Sequence, residues 1–198
     1  MNWLEGIEIT SKFEVAEDGN PTIKYILATI GIPNLNGALF TSYEAKKAKD
    51  TIINKPLIYI PSHLGLPTGH SSIFPKLSPD ALIVGTHIAS TIEEIDGKSH
   101  IVVTAKLFKV QFEEIVNTML ELHQENDLKF SMECNYKDSE VMTDGTRILK
   151  NITFVASCVV ADPANPFSIS LEAAKRLEAA NKINQLNTSS FLDGIENL

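Results

Sequence analysis

The sequence predicts a β-rich α+β fold: a closed or partly closed β-barrel flanked by helices. Three observations lead there. Short runs rich in β-branched and aromatic residues recur between residues 7 and 160, each about the length of a strand. Turn signals separate them, among them Asn36-Gly37, Asp96-Gly97 and Asp144-Gly145. Only one long stretch, residues 108–124, repeats its apolar residues at the spacing of a helical face. Many short strands with one long helix bury their apolar faces best when the sheet curls and the helices lie outside it.

Residues 7–10 alternate apolar and polar, and 13–15 can continue that strand. Glu17-Asp18-Gly19-Asn20-Pro21 favours a tight turn, and residues 23–30 form the next strand. After a loop at 33–37, Thr41 and Glu44 stand at capping-box spacing and open a short helix ending near Asp50. A strand over 57–60 stops just before His63. Gly65, Pro67, Gly69, Pro75 and Pro79 make residues 64–81 a long surface loop. Strands over 81–92 and 99–107 flank the Asp96-Gly97 hairpin. The helix 108–124 puts Phe108, Phe112, Ile115, Val116, Met119, Leu120 and His123 on one face. A strand over 128–136 carries Ser131, and residues 147–160 supply the last strands. Asp138, Glu140 and Asp144 read as a solvated acidic turn rather than a metal site. From Ser168 or Ser170 a helix rich in Ala, Glu, Lys and Leu runs to about Gln185. The expected organisation is a barrel domain over 1–167, then a helical C-terminal extension and flexible tail over 168–198.

A hydrophobic content of 43% supports a real core in 198 residues. A formal net charge of −8 argues against nucleic acid or an anionic membrane surface as partner, because both need clustered Lys and Arg. No apolar run approaches the ~20 residues that span a bilayer. The acidic start, Met1-Asn2-Trp3-Leu4-Glu5, lacks the pattern of a secretory leader, so a cytosolic setting is expected. Cys134 and Cys158 lie in strand-like runs and are expected as buried reduced thiols. No phosphate loop and no Cys-x-x-Cys is present, so no cofactor or metal is expected.

The residues that carry chemistry lie in three segments. The first is Gly31-Ile32-Pro33-Asn34-Leu35-Asn36-Gly37, followed by a helix and by Lys55-Pro56-Leu57 leading to His63. The second is Phe130-Ser131-Met132-Glu133. The third is Val159-Val160-Ala161-Asp162-Pro163-Ala164-Asn165-Pro166. Together, over residues 25–167, they resemble the head-maturation (prohead) proteases of tailed bacteriophages, a family similar in fold to the herpesvirus assembly proteases, the assemblins. The resemblance implies an assemblin-like barrel and a serine endopeptidase. Such an enzyme cleaves scaffold and capsid proteins inside the assembling prohead, in the host cytoplasm, and self-associates.

A serine hydroxyl needs a base within hydrogen-bond reach, and histidine is the usual one. The resemblance implies Ser131 as nucleophile and His63 as general base, 68 positions upstream (131 − 63). His70 stands next as base, then His87; His100 and His123 read as structural or solvated. The third member is open. Viral relatives carry a histidine or an acid before the proline turn, where this chain has Ala156. Asp162 and Glu133 are the candidates to orient the base, then Ser157, or the site is a dyad. Backbone N–H groups near Ala164 and Asn165 are candidate oxyanion donors. The alternative reading is a non-catalytic capsid-assembly or scaffold protein that keeps the protease fold.

Overall fold

Among the described residues the strand-forming runs fold into one curled sheet of seven strands and a smaller sheet of three. In the computed structural model, which describes residues 14–15, 18–70 and 78–169, the strands are β1 (Glu14–Val15), β2 (Pro21–Thr29), β3 (Ala38–Leu39), β4 (Pro56–Tyr59), β5 (Leu82–Ile95), β6 (Lys98–Leu107), β7 (Lys129–Asn135), β8 (Asp138–Val141), β9 (Arg147–Lys150) and β10 (Thr153–Val160). The large sheet runs β1-β2-β6-β5-β4-β10-β7 and the small one β3-β9-β8. Neighbours in the large sheet are antiparallel except β4 and β10, which run parallel with Leu57 opposite Ser157.

The hairpin β5–β6 turns at Asp96 and Gly97, both with positive φ (51° and 67°), the geometry that makes Asp-Gly a hairpin signal. Gly85 is required where β5 lies between β4 and β6. A Cβ there would stand 2.6 Å from the Lys106 carbonyl oxygen. The inner face of the curl holds one core. Within it Tyr25 of β2 stacks on Phe130 of β7, ring centroids 3.7 Å apart, and Phe40 lies against Phe154. The end strand β7 thus meets β2, the neighbour of the short edge strand β1, through side chains.

A gap remains between the backbones of β2 and β7, and the chain beyond the proline turn bridges one end of it. Ile26 donates its N–H to the Ile169 carbonyl, and Phe130 donates to that of Ser168. The Ser168 hydroxyl donates to the Leu27 carbonyl, and Phe167 and Ile169 pack on Ile26, Ile95 and Val102. Ser168 and Ile169, just past the expected boundary at 167, are thus stitched into the sheet. The expected C-terminal helix and tail beyond them lie outside the described residues.

Among the described residues two α-helices flank the curl. α1 (Ser42–Ala48) starts as expected, with the Thr41 hydroxyl accepting from the Glu44 N–H, and runs into a 3-10 turn ending at Ile52. α2 (Glu113–Gln124) buries Val116, Met119 and His123. It begins five residues later than the periodicity predicts, because Phe108 gives its N–H to the Val84 carbonyl and the chain turns through Phe112 before winding up. The acidic stretch at 138–141 is strand β8 rather than a turn, paired to β9 with Glu140 opposite Ile148. Residues 147–160 divide at Asn151 (φ 53°) into β9 and β10, which belong to different sheets.

Candidate active site

β7 is the last strand of the large sheet, so only one of its edges is paired, with β10. Alternation sends Phe130, Met132 and Cys134 to the core and Ser131 and Glu133 to the opposite face. Across the ladder Cys158 stands opposite Ser131, and Ala156 stands opposite Glu133. Ser131 and Glu133 open onto a cleft of about 500 Å³ beside the unsealed part of the seam. Among the described residues no group hydrogen-bonds the Ser131 hydroxyl.

The loop after β4 decides which histidine reaches this cleft. Pro61 and Pro67 pair across it, Gly65 donates its N–H to the Ser62 carbonyl, and Thr68 donates to the Ile60 carbonyl. The chain therefore leaves β4, turns at residues 62–65 and doubles back. His63 sits on the exposed turn, outside the cleft lining. His70, seven positions on, lines the cleft with Nδ1 3.5 Å from Glu133 Oε1. The His70 side chain is 43% exposed and that of Glu133 only 9%. Asp162 is exposed in the turn after β10 and does not line the cleft. Of the expected catalytic set, the cleft gathers Ser131 and Glu133, with His70 rather than His63 as the imidazole beside them.

The other two segments form the far wall. Asn34 Oδ1 accepts from the N–H groups of Asn36 and Ala38, which locks the Asn-Leu-Asn-Gly loop. Leu35 donates its N–H to the Ala164 carbonyl at 2.9 Å, so this loop docks on the Pro-Ala-Asn-Pro turn. Asn34, Asn36, Ala164 and Asn165 all line the cleft. Asn165 is buried and its Oδ1 accepts from the Thr29 hydroxyl. That leaves Asn165 Nδ2 a buried donor with no partner among the described residues.

Ser157 and His87 go elsewhere. Both are fully buried within the curl, where the Ser157 hydroxyl, the Tyr25 hydroxyl and His87 Nε2 form a closed triangle of contacts at 2.5, 2.6 and 2.9 Å. His87 Nδ1 lies 2.7 Å from the Lys55 carbonyl, which can only accept, so Nδ1 carries the proton and Nε2 accepts. Burial pulls the His87 pKa down to about 4, against the smaller upward pull of the Lys55 carbonyl. Burial likewise drives the Tyr25 hydroxyl far above its ordinary range. The triangle is a neutral, water-excluded brace between β2, β5 and β10, with no opening to substrate.

Neither cysteine forms a disulfide among the described residues. Burial pushes the Cys134 thiol up to about 11, while Cys158 donates its thiol hydrogen to Glu133 Oε1 at 3.2 Å. Nothing in the sequence signals that the Asn165 side chain lines the cleft, or that buried Cys158 stands behind it on Glu133. The strand alternation of 158 was legible, but its register against Ser131 was not. No known protein family, curated protein or solved structure matches the chain. No helix among the described residues is long and apolar enough to cross a membrane.

Proposed function

We propose that the protein is a prohead serine endopeptidase of the assemblin-like type, cleaving scaffold and capsid proteins within the assembling phage head in the host cytoplasm. The observation that carries this reading is the convergence of three sequence segments, around Asn34, Ser131 and Asn165, on the walls of one cleft. Ser131 is the nucleophile. His70 is the base, with Nδ1 turned to Glu133 and Nε2 left to take the hydroxyl proton. Asn165 Nδ2, preorganised and unpaired, donates to the oxyanion as the carbonyl becomes tetrahedral. His63 and Asp162 are the reserve base and orienting acid, brought in only if self-association rearranges the loop after β4.

An extended peptide suits this cleft. Phe130 aims its N–H at Ser168, away from β10, so by alternation Met132 and Cys134 also aim their backbone groups along the open edge. A substrate strand pairing there would run beside the Ser131 hydroxyl.

The test is cleavage of purified capsid and scaffold proteins under assembly conditions by the wild-type chain and by Ser131→Ala. Loss of cleavage in Ser131→Ala is expected, and cleavage that persists in it sinks the assignment. Absence of cleavage by the wild type favours the alternative of a non-catalytic scaffold protein. Ala156 opposite Glu133, and the unbonded Ser131 hydroxyl, are the features that favour that second reading.

A further inference from the structure

The group formed by His70, Glu133 and Cys158 holds three different donor types. His70 Nδ1, a Glu133 carboxylate oxygen and Cys158 Sγ all lie within 4.8 Å of one another. Cys158 Sγ is 3.2 Å and His70 Nδ1 3.5 Å from the same oxygen, Glu133 Oε1. Two ligands on a tetrahedral zinc ion, with bonds of about 2.0–2.3 Å, stand roughly 3.3–3.6 Å apart. A second observation is independent of that spacing. Glu133 Oε2 is buried, on a side chain only 9% exposed, and has no hydrogen-bond partner among the described residues. An orphaned carboxylate oxygen in a cleft is costly unless something positive meets it.

We propose that His70, Glu133 and Cys158 bind a zinc-class divalent cation, and that the filled site takes His70 out of service as a base. The ligand set selects the ion. A thiolate with an imidazole favours zinc-like cations over magnesium or calcium, which prefer oxygen alone. Binding expels the Cys158 thiol proton to solvent, so the ion's two positive charges meet one thiolate and one carboxylate, and the half-buried site is neutral. His70 stays neutral and its proton moves from Nδ1 to Nε2. Nε2 then carries a hydrogen and cannot accept one from Ser131. The exposed His70 side gives the ion its way in. This regulatory consequence rests on the protease reading above; the binding itself does not.

The test starts with the full chain stripped by a chelator and titrated with Zn²⁺ by calorimetry and with Co²⁺ by absorbance. One ion per chain is expected, with a thiolate-to-cobalt charge-transfer band. Cys158→Ser removes the band, His70→Ala weakens Zn²⁺ binding at least about tenfold, and Cys134→Ser keeps both. Less than one ion per chain, a cobalt spectrum without the thiolate band, or unchanged binding in His70→Ala overturns the site. His70 is an exposed loop residue, so its variant decides the matter if Cys158→Ser, altered in the core, misfolds. In the cleavage assay saturating Zn²⁺ slows the wild type at least about tenfold and chelation restores it. Undiminished cleavage with the site filled overturns the regulatory role. Stoichiometric binding by a chain that never cleaves removes the protease reading and leaves the metal site standing.

Discussion

Leu35 and Ala164, 129 positions apart (164 − 35), are joined by a 2.9 Å hydrogen bond from the Leu35 N–H to the Ala164 carbonyl. That bond ties the loop before α1 to the turn after β10 and makes one wall of the cleft from two distant segments. Asn34 holds the loop in the shape that permits it, by accepting from Asn36 and Ala38. Asn34→Ala should cost about 1–2 kcal/mol of stability by the loss of these bonds. It should also lower cleavage more than that loss explains. Urea unfolding beside a cleavage assay checks both, and a variant that is destabilised but fully active would show that the wall is not part of the site.

The two loop histidines give opposite expectations. His70→Ala should reduce kcat about 10²–10⁴-fold, the usual contribution of a general base, while His63→Ala stays near wild type. Single-turnover cleavage by the two variants decides it. The reverse order would put His63 in the working site and require the loop after β4 to refold on assembly.

Asn165→Ala removes the buried unpaired donor and should lower kcat about 10²–10³-fold with little change in KM, since the donor acts on charge that develops only in the transition state. An equal rise in KM would mean that Asn165 holds substrate rather than the oxyanion.

Stability should fall in acid. Folded His87 is held neutral with a pKa of about 4, whereas an unfolded histidine takes up its proton near 6.5. Between those values only the unfolded chain binds the proton. The contribution is therefore full above about pH 6.5 and is lost as pH drops toward 4, a change of about 3 kcal/mol. His100, also lowered chiefly by burial, acts in the same direction. Urea midpoints from pH 7 to pH 4 measure this, and His87→Gln should flatten most of the slope. A wild-type midpoint that does not move would contradict the neutral brace.

Gly85→Ala should destabilise by about 1–3 kcal/mol, because a methyl group 2.6 Å from the Lys106 carbonyl forces β5 and β6 apart. Thermal melts of the variant beside Ala89→Gly, elsewhere on β5, separate this clash from ordinary strand propensity.

Much of the scaffold was legible in local pattern. The Asp96-Gly97 hairpin, the Thr41 cap and the strand through Ser131 each depend on a few adjacent residues, and each lies where the pattern predicts. The errors come from non-local choices. The start of α2 is moved by the Val84 carbonyl, 24 positions away (108 − 84), and the acidic run becomes a strand only because β9 is there to pair with it. The site divides in the same way. Ser131 and Glu133 share a face by simple alternation, so both could be read from the chain. His70 reaches Glu133 only because the Pro61–Pro67 pair folds the loop back, and Cys158 meets Ser131 only through register. No spacing in one chain encodes either contact.

The parallel pairing of β4 with β10 sets Leu57 opposite Ser157, 100 positions later (157 − 57), and the last stitch of the seam is Ile169. Contacts this distant form late, after the loop between them has paid its closure entropy. On a growing chain the far wall cannot exist until Ala164 and Asn165 have cleared the ribosome, nor the stitched seam until Ile169 has. A nascent copy therefore cannot present Ser131 in a formed cleft before those residues are free to pair, and on the protease reading proposed above any cutting waits until then.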